Sequence, residues 1–294
     1  METTWVRVSA RLCVAACLAC APAHAEHHMG SSWSGDLGVG YDDNVGNAGP
    51  NADVRDDAFV AAGLNLDWSW RPTLNTGLLL RGSLRGEGYG EVDGLSNGKL
   101  VAMARLSHRP GGGFYAPTLA VWASAALREF DSRMRDGEEY RAGVFVSEPI
   151  TTAIGARLGA SLAERESYGA VFDLSSWSAS LDLDWQVAPM LTLYAGYQFH
   201  DGDIVSTAFA APKSSHLGGG GGGGPGAKGH PDDAFDGLFA YRVEAKTQVA
   251  SLGVNLPLSP KFALDAQVRR ADAETGGGSG YGRWQAVVSA LTRF

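Results

Sequence analysis

The sequence predicts an all-β fold, a closed antiparallel transmembrane β-barrel of about twelve strands arranged as an up-and-down meander. Three features predict it. Segments of roughly ten residues alternate apolar side chains with polar or small ones, and a tilted strand of that length crosses a bilayer. Short turns alternate with long polar loops between the segments. Aromatic residues gather at both segment ends, where rings with one apolar and one wet side suit lipid headgroups.

The chain opens with a segment read as a secretory signal peptide, residues 1–25, with the barrel over 26–294. Arg7 and Arg11 form the basic region, Leu12 to Ala21 the apolar stretch, and Ala23-His24-Ala25 the cleavage site. The apolar stretch is too short to span a bilayer as a helix. A lipoprotein signal, Val14-Ala15-Ala16-Cys17, ranks lower because it leaves only a stub of apolar residues after Arg11. Cys13, Cys17 and Cys20 all lie in this segment, so the barrel has no disulfide or thiol chemistry. A net charge of -8 argues against nucleic acid as a partner.

The strands follow in order, each with one apolar face. Trp33, Leu37, Val39 and Tyr41 mark the first, Val60, Leu64, Leu66 and Trp70 the second, and Leu78, Leu80 and Leu84 the third. Next come Leu100 and Leu106, then Leu119, Val121 and Leu127, then Tyr140, Val144 and Val146. Ile154, Leu158 and Leu162 precede Trp177, Leu181, Leu183 and Trp185, and Leu191, Leu193, Tyr197 and Phe199 follow. In the segment Tyr241 to Leu256 the apolar parity changes near Ala250, which predicts a β-bulge. Phe262, Leu264 and Val268 lead to the last segment, Trp284, Val288 and Phe294.

The short connections carry Pro72, Pro110, Pro149, Pro189 and Pro260. The others are acidic and span 42–57, 87–97, 131–139, 164–175, 201–236 and 272–282. Barrels of this kind keep short turns in the periplasm and longer loops outside, so both termini are expected in the periplasm. The loop of about 203–236 contains an unbroken run, Gly218 to Gly224, that packs no core and is expected to be flexible. Trp33, Trp70, Trp185, Phe262 and Phe294 are expected at the periplasmic ends of the strands. Tyr41, Phe130, Tyr140, Trp177, Phe199, Tyr241 and Trp284 are expected at the outer ends. A lipid-facing sheet has no water to satisfy an open edge, so it must close around a lumen.

Residues between the apolar positions are expected to line that lumen. The positive ones are Arg81, Arg85, Arg105, Arg128, Arg141, Arg157, Arg242 and Arg269. The negative ones are Asp36, Asp67, Asp182, Asp184 and Asp265, with Glu244 on the same parity as Arg242. Such charges either select ions and oriented solutes in an open pore or pair with one another and fill it. Twelve strands lie between filled eight-stranded and open sixteen-stranded barrels, so size leaves both readings open.

Three further groups carry potential chemistry. His200-Asp201-Gly202-Asp203 places a histidine near carboxylates, but Asp-Gly is an ordinary turn signal and no serine–histidine spacing accompanies it. Asp42-Asp43-Asn44 lacks the closing glutamate of a calcium loop and reads as a solvated turn. Cleavage after Ala25 would expose Glu26-His27-His28, whose amine, amides and imidazole make a square-planar set for Cu(II); a frayed terminus is the plainer reading. No other cofactor is expected, and no catalytic residues are apparent.

The closing segment, Tyr281-Gly282-Arg283-Trp284 to Thr292-Arg293-Phe294, resembles the last strand of bacterial outer-membrane β-barrel proteins. That resemblance implies an assembly signal at Phe294, read by the outer-membrane assembly machinery, and lipid bilayer and lipopolysaccharide as surroundings. Gly40-Tyr41-Asp42-Asp43-Asn44-Val45 and the stretch Leu252 to Asp272 are similar to medium-sized barrels often linked with exopolysaccharide export. This implies a channel or export pore for small or oligomeric, saccharide-type anionic solutes. The alternative is a plugged accessory barrel acting through its loops or a periplasmic export partner.

Overall fold

The computed structural model describes residues 28–49, 53–209, 229–275 and 280–294. Nine long strands come first: β1 His28–Asp42, β2 Asp57–Arg71, β3 Thr76–Tyr89, β4 Asn97–His108, β5 Thr118–Phe130, β6 Gly137–Pro149, β7 Ile154–Ser167, β8 Leu174–Ala188 and β9 Leu191–Ala208. A two-residue strand, β10 (His230–Pro231), precedes β11 Phe239–Ser259, β12 Phe262–Thr275 and β13 Gly280–Arg293. Each long strand pairs antiparallel with the next; β9 pairs with β11, and β13 returns to β1. The twelve long strands therefore form a closed meander with no edge strand among them.

Strand alternation divides the wall into two faces. The outward face carries a continuous apolar surface, including Leu158, Leu162, Leu252 and Leu264, all exposed. Water tolerates no apolar surface of that extent, whereas a bilayer matches it. Trp33, Trp185 and Phe262 lie exposed toward one end, and Tyr41, Trp177 and Trp284 toward the other. Phe130 and Tyr241 depart from the expected outer aromatic level. Phe130 turns inward under the Arg165 guanidinium, 5.4 Å from its ring centre, and Tyr241 is buried.

The segment containing Ala250 has no bulge. β11 keeps unbroken register with β9 from Phe239 to Asn255, and its irregularity falls at Pro257/Ser259. Its 21 residues extend well beyond the bilayer. Near the membrane Leu252 and Leu256 face lipid; further out the same side carries the exposed Arg242, Glu244, Lys246 and Gln248. The inward side there carries buried Tyr241, Val243, Ala245 and Val249, so the change of apolar parity marks departure from lipid.

The connections also differ from expectation. The turn after β4 spans nine residues between His108 and Thr118, although it contains Pro110. Three outer connections are short, and each contains one 3-10 turn: Asp93–Leu95, Arg133–Arg135 and Ala170–Phe172. In each, the residue after the turn accepts a hydrogen bond from the end of the preceding strand. Tyr89 N–H donates to Ser96 Oγ (3.0 Å), Phe130 N–H to Asp136 Oδ1 (2.6 Å) and Ser167 N–H to Asp173 Oδ1 (2.7 Å). This construction closes each loop tightly, and the first and third turns bury Leu95 and Phe172.

Candidate functional site

The lumen is built from the face opposite the apolar belt. Asp36, Asp67, Arg81, Arg85, Arg105, Arg128, Arg141, Arg157, Asp182, Asp184, Asp265 and Arg269 each flank an outward apolar residue and so turn inward. Arg242 and Glu244 do not. Arg242 lies on the outward row of β11, where its Nη1 donates to the Asp173 carbonyl (2.9 Å). Expecting lipid-facing residues along the whole strand inverts the two faces of its outer half.

Much of the inward charge is paired. Arg81 grips Asp67 through two bonds of 2.6 and 2.7 Å, and Arg85 stands 4.0 Å from Asp36. Glu139, 8% exposed, takes Lys99 at 3.0 Å, Arg128 at 2.8 Å and Arg141 at 2.7 Å. Asp265 accepts from Tyr194 Oη (2.7 Å) and Asn255 Nδ2 (3.1 Å). Arg283 Nε reaches both oxygens of fully buried Asp42 at 2.9 and 2.8 Å, and Gln285 and the Asn44 N–H complete that shell. Asp42 is therefore a strut between β1 and β13. Sequence reasoning missed Glu139 and Arg283; the outward position of Trp284 was the signal that its neighbour Arg283 turns inward.

The paired network leaves space. Although they point inward, the side chains of Arg85, Arg141 and Arg81 are 58%, 48% and 40% exposed. Side chains filling a barrel would be buried like a core, so this part of the lumen is not packed like one.

The outer end is different, because the loops meet there. β9 and β11 run on past the end of β8 at Gly202, whose φ of +151° suits glycine and whose added Cβ would meet the Ser175 carbonyl. From this point the β9–β11 hairpin crosses the mouth. Thr207 N–H donates to the Gly46 carbonyl (2.8 Å) and Asn47 Nδ2 to the Val205 carbonyl (3.2 Å), tying β9 to the β1–β2 loop. Phe235 and Leu238 pack with Val45, Val92 and Leu95, while Ala240 packs with Val171 and Phe172. Asp232 accepts from Arg135 Nη2 (2.6 Å) and Thr207 Oγ1 (3.0 Å), and Ser132 Oγ bonds Asp233. Burial lowers the pKa of the Arg135 guanidinium, and Asp232 opposes that shift. Apolar contacts and one buried ion pair thus hold a cap over the lumen.

Beneath the cap is a cavity of about 420 Å³, lined by Tyr89, His200, Arg269, Tyr281 and Arg283 among others. His200 and Asp203 both line this cavity, but Asp203 accepts from Ser175 N–H (3.1 Å) and Oγ (3.2 Å), and no hydrogen bond joins it to His200 among the described residues. Phe294 closes the chain with an exposed side chain and an N–H donating to the Trp33 carbonyl (2.9 Å). The Cu(II) expectation at His27 and His28 cannot be placed: His27 lies outside the described residues, and His28 is described only as the start of β1. The signal segment and the run Gly218 to Gly224 also lie outside them.

No family model matches the sequence, and no curated protein matches it. Solved structures do resemble the fold. An outer-membrane channel from Pseudomonas putida F1 aligns with a TM-score of 0.59 at 12% identity, covering 94% of this chain and 100% of that one. The NanC porin aligns with a TM-score of 0.49 at 7% identity, covering 87% of this chain and 98% of its own. The first of these likenesses, with the lipid-matched belt, shows the chain to have the fold of an outer-membrane β-barrel.

Proposed function

We propose that the protein is an outer-membrane channel for small anionic solutes, with its outer mouth covered by the β9–β11 hairpin. One observation carries this reading: inward-facing arginines below the cap stay partly exposed instead of being buried in a filled core. Arg81, Arg85 and Arg141 each face a carboxylate, whereas Arg105, Arg157 and Arg269 have none within 4.0 Å among the described residues, so these last three set the preference for anions. Acidic saccharides, the class suggested by the sequence resemblance, fall within that selection.

A second reading draws support from the cap itself. Four loops and a hairpin meeting over the mouth suit an accessory barrel working through its outer surface or a periplasmic partner. Both readings have lipid, lipopolysaccharide and the assembly machinery as surroundings, with Phe294 as the assembly signal and both termini in the periplasm. Neither calls for catalysis. Reconstitution in a planar bilayer separates them. The channel reading expects discrete current steps, more frequent when Asp232→Ala releases the cap; inserted protein that is silent in both forms overturns it.

A further inference from the structure

We propose that Arg105, Arg157 and Trp122 form a binding site in the lumen for a small carboxylate carried on a ring. The proposal rests on the channel reading and names the solute class. Arg105 on β4 and Arg157 on β7 line one cavity of about 320 Å³ together with Trp122, Phe145, Ser161 and Ser180. That volume suits a small molecule.

These two guanidiniums differ from the paired arginines around them. Among the described residues, neither has a carboxylate within 4.0 Å, although Asp182 stands opposite Arg157 in the backbone register. Arg105 Nε is buried and has no hydrogen-bond partner. A buried donor left unmade is costly, and the planar fork of a guanidinium matches a carboxylate through two parallel bonds. Arg157 is held in place with its guanidinium 5.1 Å from the centre of the Phe145 ring.

Trp122 supplies the surface for the ring. It faces Gly143 across the β5–β6 register, and a Cβ added to Gly143 would lie 2.9 Å from Trp122 Cε2. The missing side chain leaves the indole the space over Gly143, and the ring lines the cavity. A flat aromatic face stacks on another ring and gives little to a simple anion. Ser161 and Ser180 add hydroxyls to the lining, the first sharing a 2.8 Å hydrogen bond with Ser178 Oγ. Two unpaired cations, a flat ring and hydroxyls together select a carboxylate attached to a ring.

Calorimetric titration of the folded protein in detergent, corrected with empty micelles, tests this with benzoate, glucuronate, acetate and benzyl alcohol. Benzoate or glucuronate should bind about tenfold more tightly than acetate or benzyl alcohol, a factor of ten being a clear margin in affinity. The stronger of the two acids identifies the ring as aromatic or saccharide. Arg105→Ala and Arg157→Ala should each weaken the ring acids about tenfold. Trp122→Ala should reduce them to the affinity of acetate. If an alanine variant loses its heat-modifiable folded band, Arg105→Lys and Arg157→Lys keep the charge without the planar fork and should show the same loss. No binding by the wild type, equal binding by the arginine variants, or acetate matching the ring acids overturns the site. Binding without conductance would remove the pore and retain the site; conductance without binding would remove only the site.

Discussion

Glu139 and Arg105 illustrate two ways a charge can be held inside a barrel. Glu139 is nearly buried and receives Lys99, Arg128 and Arg141. Replacing it with glutamine leaves three cations with no anion between them, and breaking a buried charge cluster typically costs several kcal/mol. Glu139→Gln should therefore lower stability in urea unfolding by about 3 kcal/mol, whereas Arg105→Ala, which removes a charge lacking a carboxylate, should leave the unfolding midpoint almost unchanged. Equal losses would show that the cluster does not support the wall. The difference between these residues also explains what the sequence discloses. Arg105 sits mid-strand between Ala104 and Leu106, so parity alone turns it inward. Glu139 follows the charged run from Asp131, where alternation is obscured, and the strand is therefore read as starting after it. Arg141 lies two residues along the same strand, but Lys99 and Arg128 come from β4 and β5, and no local pattern announces those two.

Among the elements, strands are legible and the cap is not, because lipid imposes a period of two and loop packing imposes none. Val45, Val92, Leu95, Phe235 and Leu238 each stand in a polar segment, and only the fold brings them together. β11 is misread near Ala250 for the complementary reason: the period continues, but the outward solvent changes from lipid to water. The cap has one buried ionic latch. Asp232→Ala leaves the Arg135 guanidinium buried without its anion, a cost that lifting the hairpin relieves. The variant should retain its folded band, be cut by trypsin at Arg133 or Arg135 more readily, and conduct more often. Unchanged proteolysis would show that apolar contacts alone hold the cap. Orientation is tested with two residues whose exposure is not in question, Tyr168 in an outer turn (85%) and Leu74 in an opposite turn (100%). On intact cells, an impermeant thiol reagent should label Tyr168→Cys and spare Leu74→Cys; the reverse pattern would invert the barrel.

At the scale of the whole molecule, charge is sorted by position. The chain carries a net charge of -8, yet the inward arginines Arg105, Arg157 and Arg269 have no described carboxylate within salt-bridge reach. The acidic excess lies largely on outer loops, at Asp43, Asp53, Asp56, Glu91, Asp93 and Asp131 among others. Inside, Arg81, Arg105 and Arg157 come from β3, β4 and β7, while Asp182 and Asp184 share β8. A solute passing through therefore meets basic residues on β3 and β4 and, at the β7–β8 boundary, Arg157 facing Asp182 across the register. Ion selectivity should follow the unpaired groups, since paired ones cancel at a distance. In a potassium chloride gradient, Asp232→Ala protein, with its mouth released, should show a reversal potential on the anion side. Adding Arg105→Ala and Arg157→Ala should move it toward cations, and adding Asp182→Asn and Asp184→Asn should move it further toward anions. Both shifts should shrink between about 0.1 M and 1 M salt, where the screening length falls from roughly 10 Å to 3 Å. A conducting protein whose reversal potential ignores both pairs at low salt would show that ions take a path away from these walls, and the assignment of the lumen as the pore would fail.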